Sequence, residues 1–194
     1  MHSVQKSARG RGERRATIVA AAQRLSVSCG YSGFTFDDLA QAVGVSRRTL
    51  FNHVSSKEEA VLGGLPQLTP EQAETLRSGG PTGDLFDDLL STVLECVQSS
   101  GEDLGDLQRL HDVIERNPEL FVRVKAHVEN LTERIVAQVT VREDVDAEQA
   151  RMALTLVAGL LERSVTDCID DPGAGPLPQR LQTNLAITRG LLAV

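Results

Sequence analysis

The chain is poor in large aromatic side chains and in cysteine. Among its 194 residues there is no tryptophan, one tyrosine and three cysteines, Cys29, Cys96 and Cys168. Because the cysteines are odd in number, far apart and without CxxC spacing, they indicate neither a disulfide framework nor a zinc site. No apolar run approaches the roughly 20 residues that span a membrane, and no secretory segment follows Met1. We therefore predict a cytoplasmic protein with no membrane partner.

Signatures of catalysis are missing as well. The sequence has no nucleophile elbow, no Walker loop and no pair of metal ligands on one helix. The glycines at Gly173-Ala174-Gly175 lack the preceding strand and following helix that a dinucleotide-binding turn requires. We predict that the protein is not an enzyme and has no catalytic residue, no cofactor and no metal site.

Long alternating apolar and polar segments are also absent, whereas apolar residues recur at helical spacing along most of the chain. This pattern predicts an all-α fold. The break at Gly63-Gly64-Leu65-Pro66 predicts a domain boundary. We expect a flexible basic arm over residues 1–12, one domain over 13–65 and a second over 66–194.

The net charge of −7 conceals an asymmetry between these parts. Residues 1–65 contain nine basic and five acidic residues, whereas the remainder contains eleven basic and twenty-two acidic residues. A basic head on an acidic body is typical of a protein that meets phosphates at one end.

The stretch Leu39–Val54 predicts two helices joined by a tight turn. Gly44 suits a helix end with positive φ, and Ser46 is a good N-cap for the second helix. Leu50 and Val54 are four apart and share one face of that helix. The other side carries four polar residues suited to base edges in a major groove, Arg47, Arg48, Thr49 and Asn52. The alternative is a solvated face in an ordinary helical protein.

The residues around this stretch resemble the tetracycline-repressor (TetR) family. The resemblance runs from about Arg15 to Leu62 and is carried by Gly30-Tyr31, Thr35, Leu39-Ala40, Gly44-Val45-Ser46, Thr49-Leu50-Phe51, His53 and Ser56-Lys57-Glu58. It implies a three-helix helix-turn-helix DNA-binding domain followed by a helical ligand-binding and dimerisation domain. One residue departs from the family pattern. The family usually has tyrosine where Phe51 stands, and Phe51 lacks the hydroxyl that contacts a DNA phosphate.

A second group of residues is expected to bind DNA phosphates. The resemblance implies this role for Thr35, which also suits the N-cap of a helix, and for Lys57 at the start of the fourth helix. The complete expected set is Thr35, His53, Lys57, Arg14 and Arg15. The alternatives are a loose surface lysine at position 57 and an arm that serves only as a solubilising tail.

The last two predicted helices, at about 147–170 and 178–192, have more apolar surface than one buried face needs. In the first, one stripe contains Ala150, Leu154 and Val157, and a second contains Met152 and Leu156. The resemblance implies that these helices form a homodimer that reads a palindromic operator in double-stranded DNA. The alternative is that both stripes face the core of one monomer.

The resemblance further implies a small-molecule effector among the helices at about 84–141 and near Met152. The candidate pocket residues are Cys96, Arg109, His111, Phe121 and Met152. We therefore predict a dimeric repressor that an effector releases from its operator. The alternative is a helical interaction protein, or an effector-independent regulator, with weakened sequence-specific reading of DNA.

Overall fold

The computed structural model describes the backbone of residues 2–99, 104–171, 173 and 175–192, and the side chains of residues 12–98, 109–171, 173 and 175–191. Within these ranges it contains helices and no β-strand. The α-helices are α1 (His2–Cys29), α2 (Phe36–Val43), α3 (Arg47–Phe51), α4 (Lys57–Leu62), α5 (Pro70–Arg77), α6 (Leu85–Ser99), α7 (Leu104–Arg116), α8 (Pro118–Val139), α9 (Ala147–Asp170) and α10 (Leu177–Leu192). The prediction of an all-α fold is confirmed.

The chain divides into two compact units. The first comprises Met1–Leu65 and Gly105–Val124, and the second comprises Pro66–Leu104 and Lys125–Val194. The sequence predicted that residues 105–124 belong to the second domain, whereas in the structure they pack with the first. The reason is that Val113 and Leu120 are fully buried in the core of the first unit. Local periodicity reveals which side of a helix is apolar but not which core that side enters.

That core is built from α1 to α4 and from the connection between α7 and α8. Its largest fully buried side chains include Ile18, Leu39, Leu50, Val61 and Leu62. A buried amide adds a directional contact at the α7–α8 connection, because the side chain of Asn117 accepts the backbone N–H of Tyr31 at 2.6 Å. The same side chain donates to the carbonyl oxygen of Val113 at 2.7 Å, so both ends of the amide are paired.

The first helix is longer than the sequence predicted. A flexible arm was expected over residues 1–12, but the backbone from His2 continues α1 without interruption. The side chains of residues 1–11 lie outside the described part. Each of the two glycines in this segment costs a helix only about 1 kcal/mol relative to alanine, and no proline interrupts it. The neighbouring glutamine, lysine, alanine and arginine residues favour helix.

The second unit has its own apolar core, formed between α5, α6, α8 and α9. Among its buried residues are Leu76, Leu89, Ile135, Val139 and Val157. The helix α5 begins at Pro70, and Thr69 and Gln72 form a reciprocal capping box around its first turn. The helices α9 and α10 pack against each other.

An ion pair is enclosed within the second unit. Both Nη atoms of Arg142 donate to Asp88 Oδ2 at 3.2 Å, and the Asp88 side chain is completely buried. The other carboxylate oxygen of Asp88 accepts the N–H and the hydroxyl of Thr82 at 2.6 and 2.8 Å. Arg142 Nε donates to the carbonyl oxygen of Leu76 at 2.7 Å. The pair therefore joins the ends of α5 and α8 to the start of α6.

Candidate nucleic-acid interface

The turn between α2 and α3 has the local geometry of a helix-turn-helix. At the start of α2, Thr35 and Asp38 form a capping box in which Thr35 Oγ1 accepts the Asp38 N–H at 3.2 Å. At the other end of α2, Gly44 has φ 73°, a left-handed conformation that glycine adopts without steric cost. Ser46 then caps α3 by accepting the backbone N–H of Thr49 at 3.1 Å. These caps fix where one helix stops and the next begins.

The short helix α3 is anchored by apolar side chains on one side. Leu50 is fully buried and Val54 is 1% exposed. Val54 contributes to this anchor from outside the helix, because α3 ends at Phe51. The sequence predicted that the helix continues through Val54. The structure instead makes Asn52 the C-cap, and the carbonyl oxygen of Leu50 still accepts the N–H groups of His53 and Val54.

The four predicted base-reading residues lie on this anchored segment. Arg47, Arg48 and Asn52 are exposed, whereas Thr49 is half-buried. The hydroxyl of Thr49 lies 2.9 Å from that of Ser46, so it already has one hydrogen-bond partner. The structure therefore brings together two guanidinium groups and one amide on a rigidly anchored turn. These are the donor and acceptor types that read guanine and adenine edges.

Two of the five predicted phosphate-binding residues have cationic groups that contact the protein itself. Arg15 Nη2 donates to Glu59 at 2.9 Å, an ion pair that joins α1 to α4. Lys57 Nζ donates to the carbonyl oxygen of Phe34, and it lies 4.0 Å from the Phe34 ring centroid and 5.1 Å from that of Tyr31. Desolvation by these neighbours lowers the pKa of Lys57 from its ordinary value. In this structure the ammonium group is directed into the unit.

The other three predicted phosphate-binding residues differ in their availability. Thr35 is exposed, but its hydroxyl lies 2.7 Å from the Asp38 carboxylate and donates to it. His53 is half-buried, and its Nδ1 atom is buried with no hydrogen-bond partner among the described residues. Arg14 is exposed. Sequence reasoning could not separate these cases, because helical spacing does not specify the partners that a side chain finds in three dimensions.

Arg14 lines an open groove in the first unit. The groove has a volume of about 720 Å³, and its walls are the middle of α1 and the turn between α2 and α3. Its polar side chains include Arg14 and Thr17 on one wall and Ser46 and Thr49 on the other. A cation and hydroxyl groups beside α3 suit contacts to a phosphate backbone.

We expect Arg14→Ala to weaken binding to all DNA sequences alike, because a phosphate contact carries no base information. The slope of the logarithm of the binding constant against the logarithm of the salt concentration should decrease in magnitude by about 1. Salt titrations with specific and random duplexes measure this slope. The control is Arg77→Ala in the second unit, which should leave the slope unchanged. A loss restricted to one sequence would contradict a phosphate role for Arg14.

Sequence reasoning did not indicate that Asp37 contacts one of the predicted base-reading residues. The sequence indicates only that it is an acidic residue in the first turn of α2, where the helix dipole favours it. In the structure, Asp37 accepts two hydrogen bonds from Arg47 Nη1, at 3.1 and 3.3 Å. The available signal was an acidic residue ten positions before Arg47, a predicted base-reading residue, across a tight turn.

The five candidate effector-pocket residues are not brought together within either unit. Arg109, His111 and Phe121 belong to the first unit, and Cys96 and Met152 belong to the second. Cys96 is fully buried in the core, where burial raises the pKa of its thiol, whereas Met152 is 57% exposed. Their spacing along separate helices did not determine which core each would join.

Two kinds of feature are absent from the residues that the structure describes. No group of three or more histidine, cysteine, aspartate or glutamate side chains is arranged to hold a metal ion there. Within the same residues, no helix has the length and apolar character needed to cross a membrane.

The capped turn and its anchored second helix define the first unit as a helix-turn-helix DNA-binding domain. A sequence model of a family described as "Bacterial regulatory proteins, tetR family" matches residues 18–62, which cover most of the second half of α1 and all of α2 to α4. Residues 18–62 therefore form a TetR-type DNA-binding domain, and the chain is a DNA-binding regulator of transcription.

A curated relative supports the same assignment. The chain is 28% identical over 153 residues to the HTH-type transcriptional activator FasR of Mycolicibacterium smegmatis, a match covering 76% of this chain and 69% of FasR.

Two solved structures are also similar. NalD, the secondary repressor of the MexAB-OprM multidrug efflux pump in Pseudomonas aeruginosa, has a TM-score of 0.48 and 24% identity, covering 90% of this chain and 93% of NalD. The TetR family regulator PfmR of Thermus thermophilus has a TM-score of 0.40 and 20% identity, covering 89% of this chain and 97% of PfmR.

Proposed function

We propose that the protein is a homodimeric repressor that binds a palindromic operator through α3 and is released by a small-molecule effector. The first unit binds DNA, and the second provides the dimer surface and the effector site. The observation that carries the proposal is the exposure of Arg47, Arg48 and Asn52 on a segment anchored by buried Leu50. A basic side chain pair on a fixed helix is suited to bases in a major groove.

The homodimer is supported by the outer face of α9 and α10. Along α9, Leu154 and Val157 are buried, whereas Met152 and Leu156 are 57% and 46% exposed. Along α10, the apolar residues Ile187 and Leu191 are 58% and 74% exposed, also four residues apart. The second apolar stripe of α9 therefore does not face the core of the monomer. A second copy of the same face would bury it in a two-fold arrangement.

A two-fold dimer presents two copies of α3 to one face of a duplex. Such a dimer binds half-sites that are one helical turn apart, about 34–36 Å, or a multiple of that spacing. The operator should therefore be a palindrome. Repression follows where that operator overlaps a promoter, because the bound dimer occupies the site that transcription requires.

Control by an effector requires two states of the dimer with different affinities for DNA. An effector that binds better to the DNA-free state lowers the affinity of the dimer for DNA. The factor is at most the ratio of the effector's affinities for the two states. Aromatic residues are scarce after residue 65, where the sequence has only Phe86 and Phe121, and of these only Phe86 lies in the second unit. This scarcity favours an aliphatic or small polar effector.

The test of base reading is Arg48→Ala. We expect the operator affinity to fall by about 1–3 kcal/mol and the preference at one base pair to relax. Arg48→Lys is the matched control because it keeps the charge but not the bidentate fork, so it should retain more affinity while losing the preference. Binding competition against operators changed at single positions measures both effects. If Arg48→Ala leaves affinity and preference intact, α3 does not read DNA as proposed.

Activation is the second candidate function, and it is favoured by the similarity to FasR, which is a transcriptional activator. The two candidates share the same dimer and the same DNA reading, and they differ in where the operator lies. A reporter gene placed behind the operator distinguishes them, because removing the protein raises expression under repression and lowers it under activation.

A further inference from the structure

Arg47 is held from two sides before any DNA is bound. Its Nη1 atom donates to both carboxylate oxygens of Asp37, at 3.1 and 3.3 Å. Its guanidinium carbon lies 5.6 Å from the ring centroid of Phe51, within the range of a cation–π interaction. Arg48, the next residue, has no ion pair within the described part of the chain. The side chain of Arg47 is therefore more restricted than that of Arg48.

The ring that supports Arg47 is itself fixed. Phe51 stacks on Phe36 with centroids 4.7 Å apart and ring planes at 24°. Phe36 and Asp37 are the first two residues of α2, so one helix end supplies both the carboxylate and the platform beneath the ring. The face of Phe51 contributes this support without a hydroxyl group. The residue that departs from the family pattern thus has a defined contact with a base-reading side chain.

Simple attraction to DNA does not account for Asp37. A carboxylate beside a base-reading arginine repels phosphates and cancels part of the arginine's charge. The pair also adds little stability, because the side chains of Arg47 and Asp37 are 58% and 67% exposed. The helix dipole favours an acid in the first turn of α2 but requires no contact with Arg47, so the effect of the contact itself is orientation. Only Nη1 of Arg47 donates to Asp37, which leaves Nη2 and Nε to face a base edge.

We infer that Asp37 is a positioning residue and that Arg47 is a specificity-determining residue for one guanine in each half-site. Asp37 and the ring of Phe51 hold the Arg47 fork in one orientation, so that less side-chain freedom is lost when the fork meets O6 and N7 of guanine. The inference rests on the proposed reading of DNA by α3. It predicts that Asp37 opposes non-specific binding and promotes specific binding.

The test compares wild type with Asp37→Asn, Arg47→Ala and the double variant as full-length proteins. Each is used to select duplexes from a random pool, and its affinities for the selected operator and for a random duplex are measured. We expect Asp37→Asn to bind random DNA more tightly but to lose about 2- to 10-fold in the ratio of specific to non-specific affinity, the range expected for ordering one flexible side chain. The preference for guanine should relax at one position of each half-site.

The double variant and one further variant, Phe51→Leu, separate orientation from charge and from folding. In the Arg47→Ala background, Asp37→Asn should still strengthen non-specific binding but should leave the affinity ratio unchanged. Phe51→Leu keeps an apolar side chain of similar size but removes the ring. It should therefore relax the guanine preference at the same position of the half-site as Asp37→Asn. Circular dichroism and melting curves establish that each variant is folded.

The outcomes distinguish this inference from the proposed function. If wild type selects a motif and Asp37→Asn selects the same motif with an unchanged or higher affinity ratio, Asp37 does not position Arg47. If Asp37→Asn lowers the ratio equally in both backgrounds, it acts through the fold and the inference is contradicted. If wild type itself selects no motif, the reading of DNA by α3 is wrong and the inference is overturned with it.

Discussion

Replacing Leu156 with glutamate is expected to convert the protein from a dimer to a monomer. Leu156 is 46% exposed on the face of α9 that we propose as the dimer surface. In a two-fold interface the substitution places two carboxylates near each other in an apolar setting, which is strongly unfavourable. Operator affinity should then fall by about 100- to 10,000-fold, because the second DNA-binding domain is no longer held close to its half-site.

Size-exclusion chromatography with light scattering measures the oligomeric state, and binding to a full operator and to a single half-site measures the consequence. The control is Val141→Glu, because Val141 is 64% exposed but lies outside α9 and α10. It should leave both the mass and the affinity unchanged. Ile187→Glu on α10 should act like Leu156→Glu. A folded Leu156→Glu variant that remains dimeric and binds the operator normally would show that this surface is not the dimer interface.

The largest loss of stability is expected for Asp88→Ala. The substitution leaves the Arg142 guanidinium, whose side chain is 10% exposed, without its carboxylate partner. It also removes the acceptor of the N–H and hydroxyl groups of Thr82. Breaking a buried pair by removing one partner costs about 3–5 kcal/mol, because the remaining charge stays desolvated. Urea unfolding measures this loss of stability. Wild type and variant are compared at the same protein concentration, because the apparent stability of a dimer depends on that concentration.

The neighbouring residue provides a matched control. Asp87 also pairs with an arginine, Arg189, but the two side chains are 34% and 58% exposed. Partly exposed pairs contribute about 0–1 kcal/mol, so Asp87→Ala should cost far less than Asp88→Ala. A similar loss of stability in both variants would mean that burial of the Asp88–Arg142 pair does not determine its contribution.

The helix-turn-helix was predictable because its signals are local. Thr35, Gly44 and Ser46 each act within a few residues of the backbone groups that they cap, and the structure has all three caps. The bounds of α9 were predictable for a similar reason, since Asp146 caps a long run with continuous helical periodicity. Local capping and periodicity do not depend on tertiary neighbours, so the sequence is sufficient to read them.

The side-chain environment of the interface was not predictable in the same way. Lys57 and Arg15 have the expected positions along the chain, but their cationic groups contact Phe34 and Glu59 of the same unit. The assignment of Val113 to the core of the first unit likewise depends on contacts with residues distant in sequence. Such contacts depend on how the helices assemble, which no local pattern encodes.

The central claim is that this protein reads a palindromic sequence through two copies of α3. The most direct test is to incubate the purified full-length protein with random double-stranded DNA at moderate salt and to sequence what it retains, so that phosphate attraction alone is insufficient. The account predicts enrichment of a palindrome whose half-sites are centred about one helical turn apart. The contrary result is that the protein retains DNA only in a salt-dependent way and enriches no sequence, with or without added cell metabolites. That result would contradict the account and favour an interaction protein.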